Sequence, residues 1–165
     1  MSIITKLSKE LEQEAQTTRK MLSLVPEDKY DWQPHEKSMK MIRLANHVAE
    51  LPGWIAMALT TDELDFQNNP YTYPTINNNQ DLLAFFEDTL QKGRDALNNT
   101  NEDVLEEMWV LRNGEQILSK STKYEVVRMA LAQQIHHRAQ LGVFLRLLNV
   151  PIPGSYGPSA DDNHF

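Results

Sequence analysis

The chain has 165 residues, 23 acidic against 16 basic side chains for a formal charge of −7, and no cysteine. That length suits one domain with its own core, and the lack of cysteine excludes disulfides, thiolate metal ligands and a cysteine nucleophile, so any thiol in the chemistry has to come from a substrate. The acidic balance opposes a polyanionic partner. No apolar run approaches the roughly 20 residues of a membrane span and the amino terminus carries no apolar leader, so the expectation is a cytoplasmic protein that binds neither nucleic acid nor membrane.

The first helical pattern runs over residues 2–23, with Ile4, Leu7, Leu11, Thr18, Met21 and Leu22 near one face, and Pro26 stops it because proline cannot continue a helix interior. A linker through Trp32, Pro34 and His35 leads to a second pattern over 38–60, where Ser38 is a credible N-cap and Pro52-Gly53 is expected to kink rather than end the helix. Residues 65–80, rich in Asn, Pro and Tyr, read as a long crossover loop. The third helix covers 79–97, with Gly93 either weakening it or admitting a close neighbour. Asn113-Gly114 between short apolar runs in 108–118 predicts a small peripheral β-hairpin. Thr122 and Glu125 form a capping-box pattern that opens the fourth helix, read over 121–149 and stopped by Pro151 and Pro153. Four such helices and one long connection predict an all-α four-helix bundle in a single domain over 1–165.

Two of these helices carry polar residues where the period calls for apolar ones. On the fourth, Val126, Ala130, Gln133, His137, Gln140, Phe144 and Leu147 follow the three-four spacing, oily at both ends and polar between. On the second, Met41, Leu44, His47, Leu51, Trp54 and Ala58 share a face with one histidine in it. A polar group inside a core costs stability unless it is hydrogen-bonded or bound to something. If both stripes face inward, His47, Gln133 and His137 converge, which is how bundles build metal sites from facing helices. Imidazole suits zinc or nickel, and three protein ligands with an open position characterise a catalytic centre. The competing reading is a pair of core histidines that bridge helices by hydrogen bonds and need no metal. Of the other histidines, His35 reads as a structural contact of the linker and His164, next to the last residue, as solvated.

The segments 34–39 (PHEKSM), 44–54 (LANHVAELPGW), 135–141 (IHHRAQL) and 156–161 (YGPSAD), in that order along nearly the whole chain, resemble the DinB-like (DinB/YfiT) superfamily. The resemblance implies metal-dependent four-helix-bundle proteins, usually homodimers, with a divalent metal on three histidines. Relatives include transferases and isomerases that use bacillithiol, mycothiol or glutathione. His47 matches the ligand on the family's second helix, and His137 matches the second histidine of its His-x-x-x-His motif. The first position of that motif is Gln133 here. An amide oxygen is a poorer ligand than imidazole, so affinity is expected to fall, with Gln133 acting as a weak ligand or holding metal-bound water and His136 next in line.

The functional expectation is therefore a divalent-metal-dependent enzyme of the thiol S-transferase or hydrolase type acting on a small molecule, with a possible low-molecular-weight thiol cosubstrate. The alternative is a non-catalytic binding or stress-response homodimer with a degenerate metal site. Glu50, near one turn after His47, reads more readily as solvated than as a group orienting that histidine. Arg138 and Arg146 read as interhelical or dimer ion pairs rather than substrate contacts, Trp32 and Trp54 as core packing rather than pocket lining, and Thr18 as a shaper of the substrate pocket together with the crossover loop. The tail over 151–165 is expected to dock against the bundle.

Overall fold

The computed structural model describes residues 2–163, so His164 lies outside the described residues. Its elements in chain order are α1 (Ile3–Ser23), a 3₁₀ turn (Glu27–Lys29), α2 (Met41–Thr60), β1 (Glu63–Asp65), α3 (Asn79–Asn98), the short α4 (Glu102–Leu105), β2 (Met108–Asn113), β3 (Gln116–Thr122) and α5 (Lys123–Leu147). The four long helices form a ring in which α2 and α1 each pack between α3 and α5, around a core that includes Leu11, Leu22, Leu44, Phe86 and Leu131. No helix among the described residues is long and apolar enough to cross a membrane.

Local chemistry sets most of the helix ends. Ser2, Asn78 and Thr122 accept hydrogen bonds from backbone N–H groups of the first turns of α1, α3 and α5, and Thr122 with Glu125 completes the expected capping box. Asn149 at φ 59° closes α5, with Asn149 N–H donating to the Arg146 carbonyl and Val150 N–H to that of Leu145.

The second helix starts later than its sequence pattern suggests. Ser38 does not cap it; its N–H donates to the His35 carbonyl in a turn of the linker. Instead Met41 N–H donates to the Trp32 carbonyl at 2.8 Å and Ile42 N–H to that of Tyr30 at 3.0 Å, so distant backbone replaces a capping side chain. The helix continues through Pro52 to Thr60. Gly93 is the close approach that the sequence allowed, since a Cβ there would sit 2.7 Å from the Pro52 carbonyl oxygen. Thr89, one turn earlier on α3, donates its hydroxyl to the Ala49 carbonyl at 2.5 Å.

The predicted hairpin is part of a three-stranded sheet in the order β1-β2-β3, with β1 parallel and β3 antiparallel to β2. Asn113 pairs with Gln116, so the turn residues are Gly114 and Glu115 rather than Asn113 and Gly114, and the positive φ falls on Gly114. Leu64 pairs with Leu111, Leu111 with Ser119 and Trp109 with Ser121, which puts these side chains on one sheet face. That face closes over one end of the α2–α5 seam, with the Trp109 indole N–H donating to Thr61 Oγ1 at 3.1 Å.

Candidate functional site

Helix α2 places His47 at the seam with α5. Its ring stands edge-on to Trp54 at 5.6 Å between centroids and to His137 at 4.5 Å. Glu50 is buried, not solvated, and its Oε1 lies 2.6 Å from His47 Nδ1. The other Glu50 oxygen accepts the Tyr71 hydroxyl hydrogen bond from the crossover loop. Burial first, and then the bonded Glu50 carboxylate, push the Tyr71 phenol well above its ordinary range, so it stays a neutral donor. Arg43 stacks on the Tyr73 ring at 3.7 Å and the Tyr71 ring at 5.3 Å, pinning this loop to α2. A carboxylate on Nδ1 leaves Nε2 as the basic nitrogen of His47.

The inward face of α5 is centred beside the predicted stripe, of which Val126, Ala130 and Phe144 are buried as expected. Val127, Leu131, Gln134, Arg138, Leu141 and Leu145 are buried, whereas Gln140 and Leu147 are exposed and Gln133 and His137 are half-buried at the edge of the seam. Stepping one residue turns 100° around a helix, so a stripe read one position off borders the true one. His137 nonetheless reaches His47. Its Nδ1 lies 2.8 Å from Gln140 Oε1, and burial, ahead of repulsion from His47 and His136, lowers its pKa and keeps it neutral. His136 is exposed, and its ring packs edge-on to His137 at 4.8 Å. His137 and Gln140 also line an open surface cavity of about 340 Å³ with Lys37 and Ser38, which gives a small molecule a way in.

The donor chemistry is thus two neighbouring imidazoles, each with Nδ1 next to a side-chain oxygen and with no hydrogen-bond partner for Nε2 among the described residues. That is the arrangement of metal-ligating histidines. The third donor is where the set falls short of the family pattern: among the described residues no three His, Asp or Glu side chains gather as a metal site, and Gln133 makes no hydrogen bond. The residues fit a weakly held cation better than a tight three-histidine centre.

The remaining expectations divide. Arg138 makes a buried interhelical ion pair with Glu14 at 2.7 Å, and Thr18, expected near a substrate, is fully buried with its hydroxyl accepting from Arg138. Arg146 pairs with Asp161 of the tail rather than with another helix. Trp32 packs edge-on against Phe144, and His35 Nδ1 accepts the Lys37 N–H in the linker turn. The tail docks through Ile152 and through Tyr156, which donates to Glu14. Glu14 and Tyr71 escaped the sequence reading. Glu14 had a signal, since it interrupts the Leu7, Leu11, Thr18, Met21 stripe just as His47 interrupts its own. Tyr71 had none, because the fold of a loop sets its contact.

A model of the DinB family matches residues 1–164. No curated protein matches the sequence. The structure is similar to a DinB-like protein of Bacillus subtilis, with a TM-score of 0.72 at 18% identity over 91% of this chain and 97% of that one. It is also similar to a DinB-like protein of Bacillus cereus, with a TM-score of 0.71 at 16% identity over 91% and 95% of the two chains. At these identities the likeness speaks for the fold.

Proposed function

The chain belongs to the DinB family, and on that premise we propose that His47 and His137 bind a divalent cation, zinc or nickel, with Gln133 as a weak third ligand, in an enzyme of the thiol S-transferase or hydrolase type. The observation that carries this reading is the pair of imidazoles 4.5 Å apart between ring centroids, each with its Nδ1 beside a side-chain oxygen. Bound there, the cation supplies Lewis acidity that brings a thiol or water to its reactive anion near neutral pH. The chain's own groups do the rest. Glu50 orients His47, Tyr71 holds Glu50 in place, and burial keeps His137 unprotonated and able to ligate. Lys37, at the opening beside His137, offers a positive charge to an anionic substrate or thiol cosubstrate.

Calorimetric titration of the chelator-treated protein with nickel and zinc tests the proposal. Expected is saturable binding, with a rise in melting temperature, that His47→Ala abolishes. No binding and no thermal shift with either metal would refute it.

The amide at Gln133 favours a second reading, a binding or stress-response homodimer that no longer uses the metal. The exposed Val143 and Leu147 of α5 would then meet a second copy. Gln133→His separates the two. A site that has lost its function gains tight metal binding and no activity, whereas a site tuned to glutamine changes an activity it already has.

A further inference from the structure

A second cavity, distinct from the opening beside His137, lies between the sheet face and the α2–α5 seam and encloses about 330 Å³, the size of a small-ligand pocket. We propose that it binds an organic cation: a protonated or quaternary amine carrying an apolar, ring-bearing body. The inference is independent of the metal, because no histidine among the described residues lines this cavity.

Its walls are mostly apolar and include four aromatic rings. Trp54 comes from α2, Trp109 and Leu111 from β2, and Phe66 and Tyr71 from the crossover loop. Two of these, Phe66 at 46% and Tyr71 at 48% exposure, stay open to solvent instead of collapsing into the core, as does Met129 of α5 at 39%. Aromatic faces attract ammonium groups through the ring quadrupole. Polar groups are few. Ser119 and Ser121 stand opposite Leu111 and Trp109 on the same sheet face, and their hydroxyls have no hydrogen-bond partner among the described residues.

Charge selects the occupant. Among the described residues Glu125 is the sole carboxylate lining the cavity, and no Lys or Arg accompanies it. Its Oε2 closes the capping box by accepting from Thr122, while Oε1 makes no hydrogen bond among the described residues. Glu125 is exposed, so this carboxylate with one free oxygen stands at the open rim of the cavity, where it attracts a cation and repels an anion. Tyr71 both lines this cavity and bonds Glu50, and Trp54 both lines it and touches His47, so an occupant would lie one side chain away from the imidazole pair.

The three tryptophans allow a direct test. Trp54 and Trp109 line the cavity, and Trp32 lies against Phe144 as an internal control. The probes are naphthalen-2-ylmethanamine, naphthalen-2-ylmethanol and naphthalene-2-carboxylate, titrated near neutral pH and followed by calorimetry and by the indole N–H resonances. Expected is saturable binding of the amine that shifts the signals of Trp54 and Trp109 but not Trp32, with the carboxylate weaker by about tenfold or more and the alcohol between. Glu125→Gln, which keeps a capping-box side chain, is expected to bring the amine and alcohol to similar affinity. The proposal is overturned if the amine does not saturate, if Trp32 shifts with the others, if the carboxylate binds as tightly as the amine, or if the folded Glu125→Gln variant keeps the full preference for the amine.

Discussion

His137 and Arg138 are neighbours on α5, yet they anchor two opposite kinds of polar cluster. The Arg138 guanidinium, 3% exposed, meets Glu14, the Thr18 hydroxyl and the Glu14 carbonyl, with Tyr156 closing the group from the tail. The charges are matched within the protein, and the one group left short is Glu14 Oε2, which meets Arg138 as an ion pair without a hydrogen bond. One step along the helix, and 100° around it, His137 meets His47 with one nitrogen of each ring engaged and the other not. What separates a structural cluster from a site ready for a ligand is whether its charges find their partners within the protein, more than how deeply they lie.

The strongest way to break that contrast is to remove one partner from each cluster. Arg138→Leu leaves Glu14 as a buried, unpaired carboxylate and is expected to cost about 3–5 kcal/mol of unfolding free energy in urea titration. The double variant Glu14→Leu/Arg138→Leu should recover most of that loss, because it removes the stranded charge. His137→Leu exchanges a half-buried neutral ring for an apolar side chain and should cost about 1 kcal/mol or less. If His137→Leu proved the more damaging of the two, the histidine pair would be the structural cluster and the contrast would be reversed.

The next effect sharpens the comparison from the open side. Glu50→Gln keeps the shape of the side chain but weakens its hold on His47, and nickel affinity is expected to fall about 10–100-fold. Arg138, outside the seam with α2, offers no such handle on metal binding. Acid sets His137 apart from the ion pairs between α1 and α3. Burial lowers the pKa of His137 from the ordinary 6.5, so below that value the unfolded chain takes up a proton that the folded chain refuses. The contribution of His137 to stability is fully present above about pH 6.5 and is lost as pH falls through the depressed value. The Glu12 and Glu87 carboxylates, lowered mainly by their hydrogen bonds to Arg94 and Arg19, lose their contribution in a separate window that begins below the ordinary 4.5. Melting curves of the metal-free protein should therefore show an upper acid slope that His137→Gln flattens and a lower one that it leaves alone.

How far these clusters were legible depended on the range of the contacts behind them. The capping box at Thr122 and Glu125, the close approach at Gly93 and the meeting of His47 with His137 all follow from residue type and helical period, and all are present in the fold. Because both sides of α5 are partly apolar, the expected stripe borders the buried face: its Val126, Ala130 and Phe144 are buried, whereas its Leu147 is exposed. The stripe that is buried, Val127-Leu131-Gln134-Arg138-Leu141-Leu145, is interrupted just as clearly, and its arginine points to a carboxylate partner in the core. Contacts made at long range left little trace. The start of α2 depends on carbonyls of Tyr30 and Trp32, β1 depends on pairing with a strand more than forty residues away, and Glu50 is buried because a loop folds Tyr71 over it.

The smallest expected effect probes the two tyrosines that complete the two clusters. Tyr156 donates to Glu14 Oε1 at 2.8 Å, yet its side chain is largely exposed, so water can replace part of what Tyr156→Phe removes. The loss should be about 0.5–1.5 kcal/mol, the ordinary net worth of a hydrogen bond, with metal affinity unchanged. Tyr71→Phe removes the matching donor from Glu50 Oε2, while the other oxygen, Oε1, stays beside His47 Nδ1. Its stability cost should be similar, but here nickel affinity should move as well, because Glu50 without its donor can swing away from His47 or take a proton. Equal metal responses from the two variants would mean that the tyrosines act on the bundle as a whole, and a response confined to Tyr71→Phe would mark the α2–α5 seam as the side of α5 that is built to bind.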